Sequence, residues 1–88
     1  FNYEKALFSF HQNKYSNALE FLNLAINSYT AELDIILGNA YLLQGMTYDM
    51  MNDRVEAKSS YKKCLKLDNF SSAMNKAKQY LNQPYQGQ

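Results

Sequence analysis

The chain has no tryptophan, one cysteine, one proline, one histidine and one arginine, and no apolar run approaching a membrane span. With Cys64 alone no internal disulfide can form, which excludes a secreted disulfide scaffold. The missing apolar run excludes a single transmembrane helix. The charged, short apolar and small-residue order of a signal peptide is also missing, and these features together favour a cytoplasmic setting. His11 belongs to no C-x-x-C or H-E-x-x-H spacing, and no catalytic serine motif occurs, so no catalysis, metal or cofactor is expected of this segment. Near a helix end, His11 reads as a polar surface residue. Asp49 and Asp53 stand four apart, but Asp53 is needed as a helix cap and no further ligand joins them.

Bases are missing too from residues 15–53, which hold Glu20, Glu32, Asp34, Asp49 and Asp53 and sum to −5. Residues 54–88 sum to +5, and the whole chain to +1. Arg54, Lys58, Lys62 and Lys66 follow a four-residue step that stacks them on one helical face. A solvated outer face accounts for that stripe, with an acidic partner or neighbouring subunit as the alternative. The sequence Tyr61-Lys62-Lys63 sets bases beside an aromatic ring, but the near-neutral total argues against nucleic acid.

What is present is an ordinary globular composition, 47% hydrophobic and 15% aromatic, too apolar for a disordered segment. A chain of 88 residues buries only about 60 to 65% of the surface its unfolded form exposes, so support from a neighbour or a second copy is expected. From the start at Phe1 a piece of a longer polypeptide or a processed chain is expected, and a regulatory or oligomerising tail of a larger enzyme is the alternative reading.

Apolar spacing predicts five helices. Ala6, Leu7 and Phe10 mark the first, ended by Asn13 in the left-handed conformation that terminates helices. Ser16 is the expected cap of the second, whose stripe is Ala18, Leu19, Leu22, Ala25 and Ile26. The short link between them requires an antiparallel hairpin. Thr30 is the expected cap of a long third helix, with Leu33, Ile36, Leu37, Ala40, Tyr41, Leu43, Met46, Tyr48 and Met50 along it to about Met51. Asn52 ends it. Asp53-Arg54-Val55-Glu56 then reads as a capping box for a fourth helix buried through Val55, Ala57, Tyr61, Cys64, Leu65 and Leu67. A fifth helix starts near Ser71 and is stopped by Pro84, with residues 84–88 expected to be loose. Cys64 reads as a small buried residue and Gly45 as a packing position.

Two stretches share one spacing at an offset of 39 residues. Ala6, Tyr15, Ala18, Leu22, Ala25 and Ile26 answer to Gly45, Arg54, Ala57, Tyr61, Cys64 and Leu65. In the second stretch Tyr41, Gly45-x-x-Tyr48, Ala57-x-x-x-Tyr61, Cys64-Leu65 and Leu67-Asp68 resemble a tetratricopeptide repeat. Tyr41 replaces the family's tryptophan, Gln44 its leucine and Asn69 its proline. The first stretch carries Ser9 in the tyrosine slot and Thr30 in the proline slot. The resemblance implies an all-α superhelix within a single domain. Its parts are a first repeat over 3–29, an insertion over 30–37 that extends the third helix, a second repeat over 38–71 and a capping helix over 71–83.

The resemblance also implies a function. In such arrays the first helix of each hairpin lines a concave face that holds other proteins. Carried over position by position, that face is Tyr3, Leu7, Phe10 and His11, then Asn39, Leu42, Met46, Asp49 and Met50, with Lys76 and Tyr80 from the last helix. It is mostly apolar, and its adaptable methionines suit a peptide, an amphipathic helix or a neighbouring subunit. The family's clamp for chaperone tails uses lysine and asparagine where this chain has Tyr3, Leu7 and Leu43, so that specificity is not expected.

Overall fold

A computed structural model describes residues 2–27, 34–67 and 72–87. Among the described residues five α-helices follow one another: α1 Asn2–His11, α2 Tyr15–Asn27, α3 Asp34–Met50, α4 Arg54–Leu65 and α5 Ser72–Asn82. No strand occurs among the described residues. The fold is all-α, with α1 paired to α2, α3 to α4, α2 packed on α3, and α5 lying against both α3 and α4. Helix α3 also meets both α1 and α5, which makes the three one layer with α3 in the middle, and α2 and α4 the other.

The 39-residue repeat is visible at the level of single hydrogen bonds. Asn13 and Asn52 both adopt positive φ, 63° and 62°. At the first, the Asn13 N–H donates to Phe10 O (3.0 Å) and the Lys14 N–H to Ser9 O (2.9 Å). At the second, the Asn52 N–H donates to Asp49 O (3.0 Å) and the Asp53 N–H to Tyr48 O (2.9 Å). Both sets are the paired bonds of a Schellman ending, which satisfy the last carbonyls of a helix and turn the chain back on itself. Asparagine tolerates the left-handed backbone because its short polar side chain costs less there than other residues.

Small residues stand where the helices cross. Ala6, Ala18, Ala57, Cys64, Ala73 and Ala77 are fully buried or nearly so. One core cluster gathers Ala6, Phe10, Ala18, Leu22, Ala40 and Leu43, and a second Leu42, Ala57, Tyr61, Cys64, Ala73 and Ala77. Gly45 sits against the ring of Tyr61, as a packing position should. Gln44 stands between the two clusters. Its Nε2 donates to Asn23 Oδ1 at 3.2 Å, and its Oε1 accepts from Ser60 Oγ at 3.0 Å, which ties the first hairpin to the second through side chains.

Several local expectations are corrected. Helix α2 begins at Tyr15, so Ser16 lies inside its first turn and does not cap it. Val55 is 77% exposed on the outer side of α4 and belongs to neither core cluster. Ile36 and Met51 are likewise exposed. Asp53 does cap α4, accepting from the Glu56 N–H at 3.3 Å. The return half of the expected box has no donor to use, because the Asp53 N–H is already committed to Tyr48 O. Thr30, Leu33, Ser71 and the 30–33 part of the insertion lie outside the described residues, as do residues 28–29 at the end of the first repeat.

Candidate partner-binding groove

The layer formed by α1, α3 and α5 carries the residues assigned to the concave face, but not all of them are accessible. Tyr3, Leu7, Met46 and Met50 are partly buried around the first core cluster. Asn39 and Tyr80 are half-buried, while His11 and Lys76 are exposed. Phe10 belongs to the core, with its ring edge-on to Tyr15 at 5.8 Å and to His11 at 5.7 Å. Leu42 is also corrected: it is only 8% exposed and packs in the second cluster with Ala57 and Tyr61. A charge placed there would test the core instead of a binding face.

Asp49 is the largest departure. Its side chain is only 2% exposed, and it organises the centre of the molecule. Arg54 Nη1 donates to Oδ1 and Oδ2, each at 3.1 Å, and the Tyr61 hydroxyl donates to Oδ2 at 2.7 Å. A fourth hydrogen bond comes from the backbone N–H of Tyr85, 2.9 Å from Oδ2. A carboxylate withdrawn this far from water is tolerable because charge-assisted hydrogen bonds replace its hydration. Burial and the hydrogen bond to Asp49 together push the Tyr61 phenol well above its ordinary value.

Arg54 heads the basic stripe in sequence, but its geometry separates it from the solvated lysines. Besides gripping Asp49, its Nη2 donates to the carbonyls of Tyr80 (2.7 Å) and Leu81 (2.9 Å). Those carbonyls end α5, where a helix has acceptors without intrahelical donors and where its dipole favours a cation. One guanidinium thus joins α3, α4 and α5. Lys58, Lys62 and Lys66 remain exposed as expected.

Residues 84–87 form no regular element, yet they are not loose. Tyr85 is half-buried, with its ring 5.9 Å from that of Phe10 and 5.3 Å from that of Tyr80. Tyr80 in turn lies 5.8 Å from Tyr61. Gly87, at φ 72°, passes so close to Met50 that a Cβ there would lie 3.0 Å from both Sδ and Cε. The segment after α5 therefore reaches side chains of α1, α3 and α5, the three helices of the inner layer.

The two hairpins solve one position differently. Phe10 and Tyr15 form an aromatic pair in the first, and at the same offset Asp49 and Arg54 form an ion pair in the second. The correspondence of Tyr15 with Arg54 was legible in the sequence. Its partner pair, Phe10 with Asp49, was the missed signal for a buried ionic site. Cys64 has no exposed surface, and burial pushes its thiol up to about 11, the behaviour of a packing residue and not of a nucleophile. Among the described residues no three His, Cys, Asp or Glu side chains converge on a metal-sized site, and no helix is long and apolar enough to cross a membrane.

Residues 38–70 match the family model of the tetratricopeptide repeat. Neither the curated proteins nor the solved structures give a match to the chain.

Proposed function

The chain carries a tetratricopeptide repeat over residues 38–70, a type of unit that generally mediates protein–protein interaction, and from that premise we propose that it binds a peptide of a partner protein along the inner layer of α1, α3 and α5. The observation that carries this reading is the partly open apolar strip of Tyr3, Leu7, Met46 and Met50, on a layer that also carries exposed His11 and Lys76. An apolar floor supplies binding energy, methionine side chains adapt to the occupant, and polar edges hold its backbone.

Capture of displayed peptides by the immobilised chain tests the proposal. Leu7→Glu with Met46→Glu should abolish capture while helicity by circular dichroism is retained, whereas Lys58→Glu with Lys62→Glu on the outer face should leave it intact. Capture that survives the inner-face charges, or falls only with the outer-face ones, overturns the assignment.

A further inference from the structure

The inner layer already holds a peptide, contributed by the chain itself. Pro84 cannot donate a backbone hydrogen bond and blocks continuation of α5, whose last turn closes with the Gln83 N–H on Gln79 O at 3.0 Å. Beyond it the chain leaves helical structure and crosses toward α1. Three independent contacts fix it there: the Tyr85 ring between Phe10 and Tyr80, the Tyr85 N–H on Asp49 Oδ2, and the Gly87 backbone against Met50. They combine a side-chain seat, a main-chain hydrogen bond and a close approach of backbone to a methionine side chain at a glycine of positive φ. Recognition of an extended peptide uses the same combination.

We propose that residues 84–87 are a built-in occupant of the groove, and that the partner is an extended peptide that presents an aromatic side chain to Phe10 and Tyr80 and the N–H of that residue to Asp49. The proposal rests on the inner-layer reading above and specifies its ligand. Asp49 supports that choice of chemistry. The carboxylate is held by Arg54 and Tyr61, donors that lie outside the 84–87 segment, and Oδ2 offers an acceptor on the floor of the groove. Because the segment follows α5 directly, it is supplied at a high effective concentration, so modest contacts suffice to keep it docked. A partner must displace it, and its apparent affinity is reduced by the fraction of time the groove is closed.

A fluorescein-labelled peptide with the sequence of residues 82–88 is the probe, titrated into the full chain and into its Tyr85→Ala variant. The variant should bind it roughly tenfold or more tightly than the unaltered chain, since release of the internal segment raises the open fraction. A probe whose own tyrosine is replaced by alanine should not bind. In the unaltered chain the Tyr85 amide should exchange slowly with solvent, and Phe10→Ala should accelerate it. Equal binding by both chains, no binding by a fully helical Tyr85→Ala chain, or exchange of the Tyr85 amide at the free-peptide rate would each overturn the inference. So would sedimentation as a dimer in which the segment docks on the other copy. If the variant refuses this probe but still captures displayed peptides through Leu7 and Met46, the built-in occupant falls and the inner-layer reading stands; if it does neither, both fall.

Discussion

Gly45 lies so close to the ring of Tyr61 that a methyl group on its α-carbon would overlap the ring, with Cζ at 2.8 Å. Alanine is the better helix former by about 1 kcal/mol, so Gly45→Ala should stabilise α3 if packing were indifferent. It is not indifferent. The ring is buried and its hydroxyl is tied to Asp49, so it cannot swing aside without breaking that bond. Gly45→Ala is expected to destabilise the fold by roughly 1 to 3 kcal/mol, read as a lower urea midpoint. Ala57→Leu, in the same core cluster, should do likewise.

Arg54 separates from the lysines that follow it on α4. Arg54→Ala strips the charged partner from a buried carboxylate and leaves the last carbonyls of α5 without their donor, at a cost of roughly 2 to 4 kcal/mol. Lys58→Ala removes an exposed charge and should change stability by no more than about 0.5 kcal/mol. Thermal melts of the two variants distinguish the roles. Equal melting temperatures would return Arg54 to the solvated stripe.

Alkaline pH should weaken the fold before it ionises the core. The buried Cys64 thiol is raised from 9.0 to about 11, so the unfolded chain releases this proton first as pH rises. Stability from this group is then full below pH 9 and is lost toward pH 11, by about 2 to 3 kcal/mol at 1.36 kcal/mol per unit. Tyr61, also raised, adds a loss in the same direction above its ordinary value of 10.0. Urea unfolding at pH 8 and pH 11 measures the sum, and Cys64→Ala should flatten the first part of the decline.

Much of the architecture was legible because it rests on local physics. Asn13 and Asn52 announce the two chain reversals, and Ala18, Ala57 and Cys64 announce the crossings, since only small side chains let helices approach there. Val55 misled because an apolar residue in the first turn of a helix need not face the core. Asp49 and Arg54 misled because charge is read as exposure when the donors that neutralise it come from distant parts of the sequence. The hydrogen bonds from Tyr61 and Tyr85 span 12 and 36 residues, and no spacing rule connects them. Residues 84–87 look polar and unstructured one by one. Their order comes from Phe10, Asp49 and Tyr80, which the fold assembles.

The face used for binding is most directly tested by amide chemical-shift mapping of the chain with the tightest displayed peptide. The account predicts shifts concentrated on Leu7, Met46, Met50, Tyr80 and the Tyr85 amide, with little change at Val55, Lys58 and Lys62. Shifts confined to the outer side of α2 and α4, with Tyr85 unmoved, would contradict it.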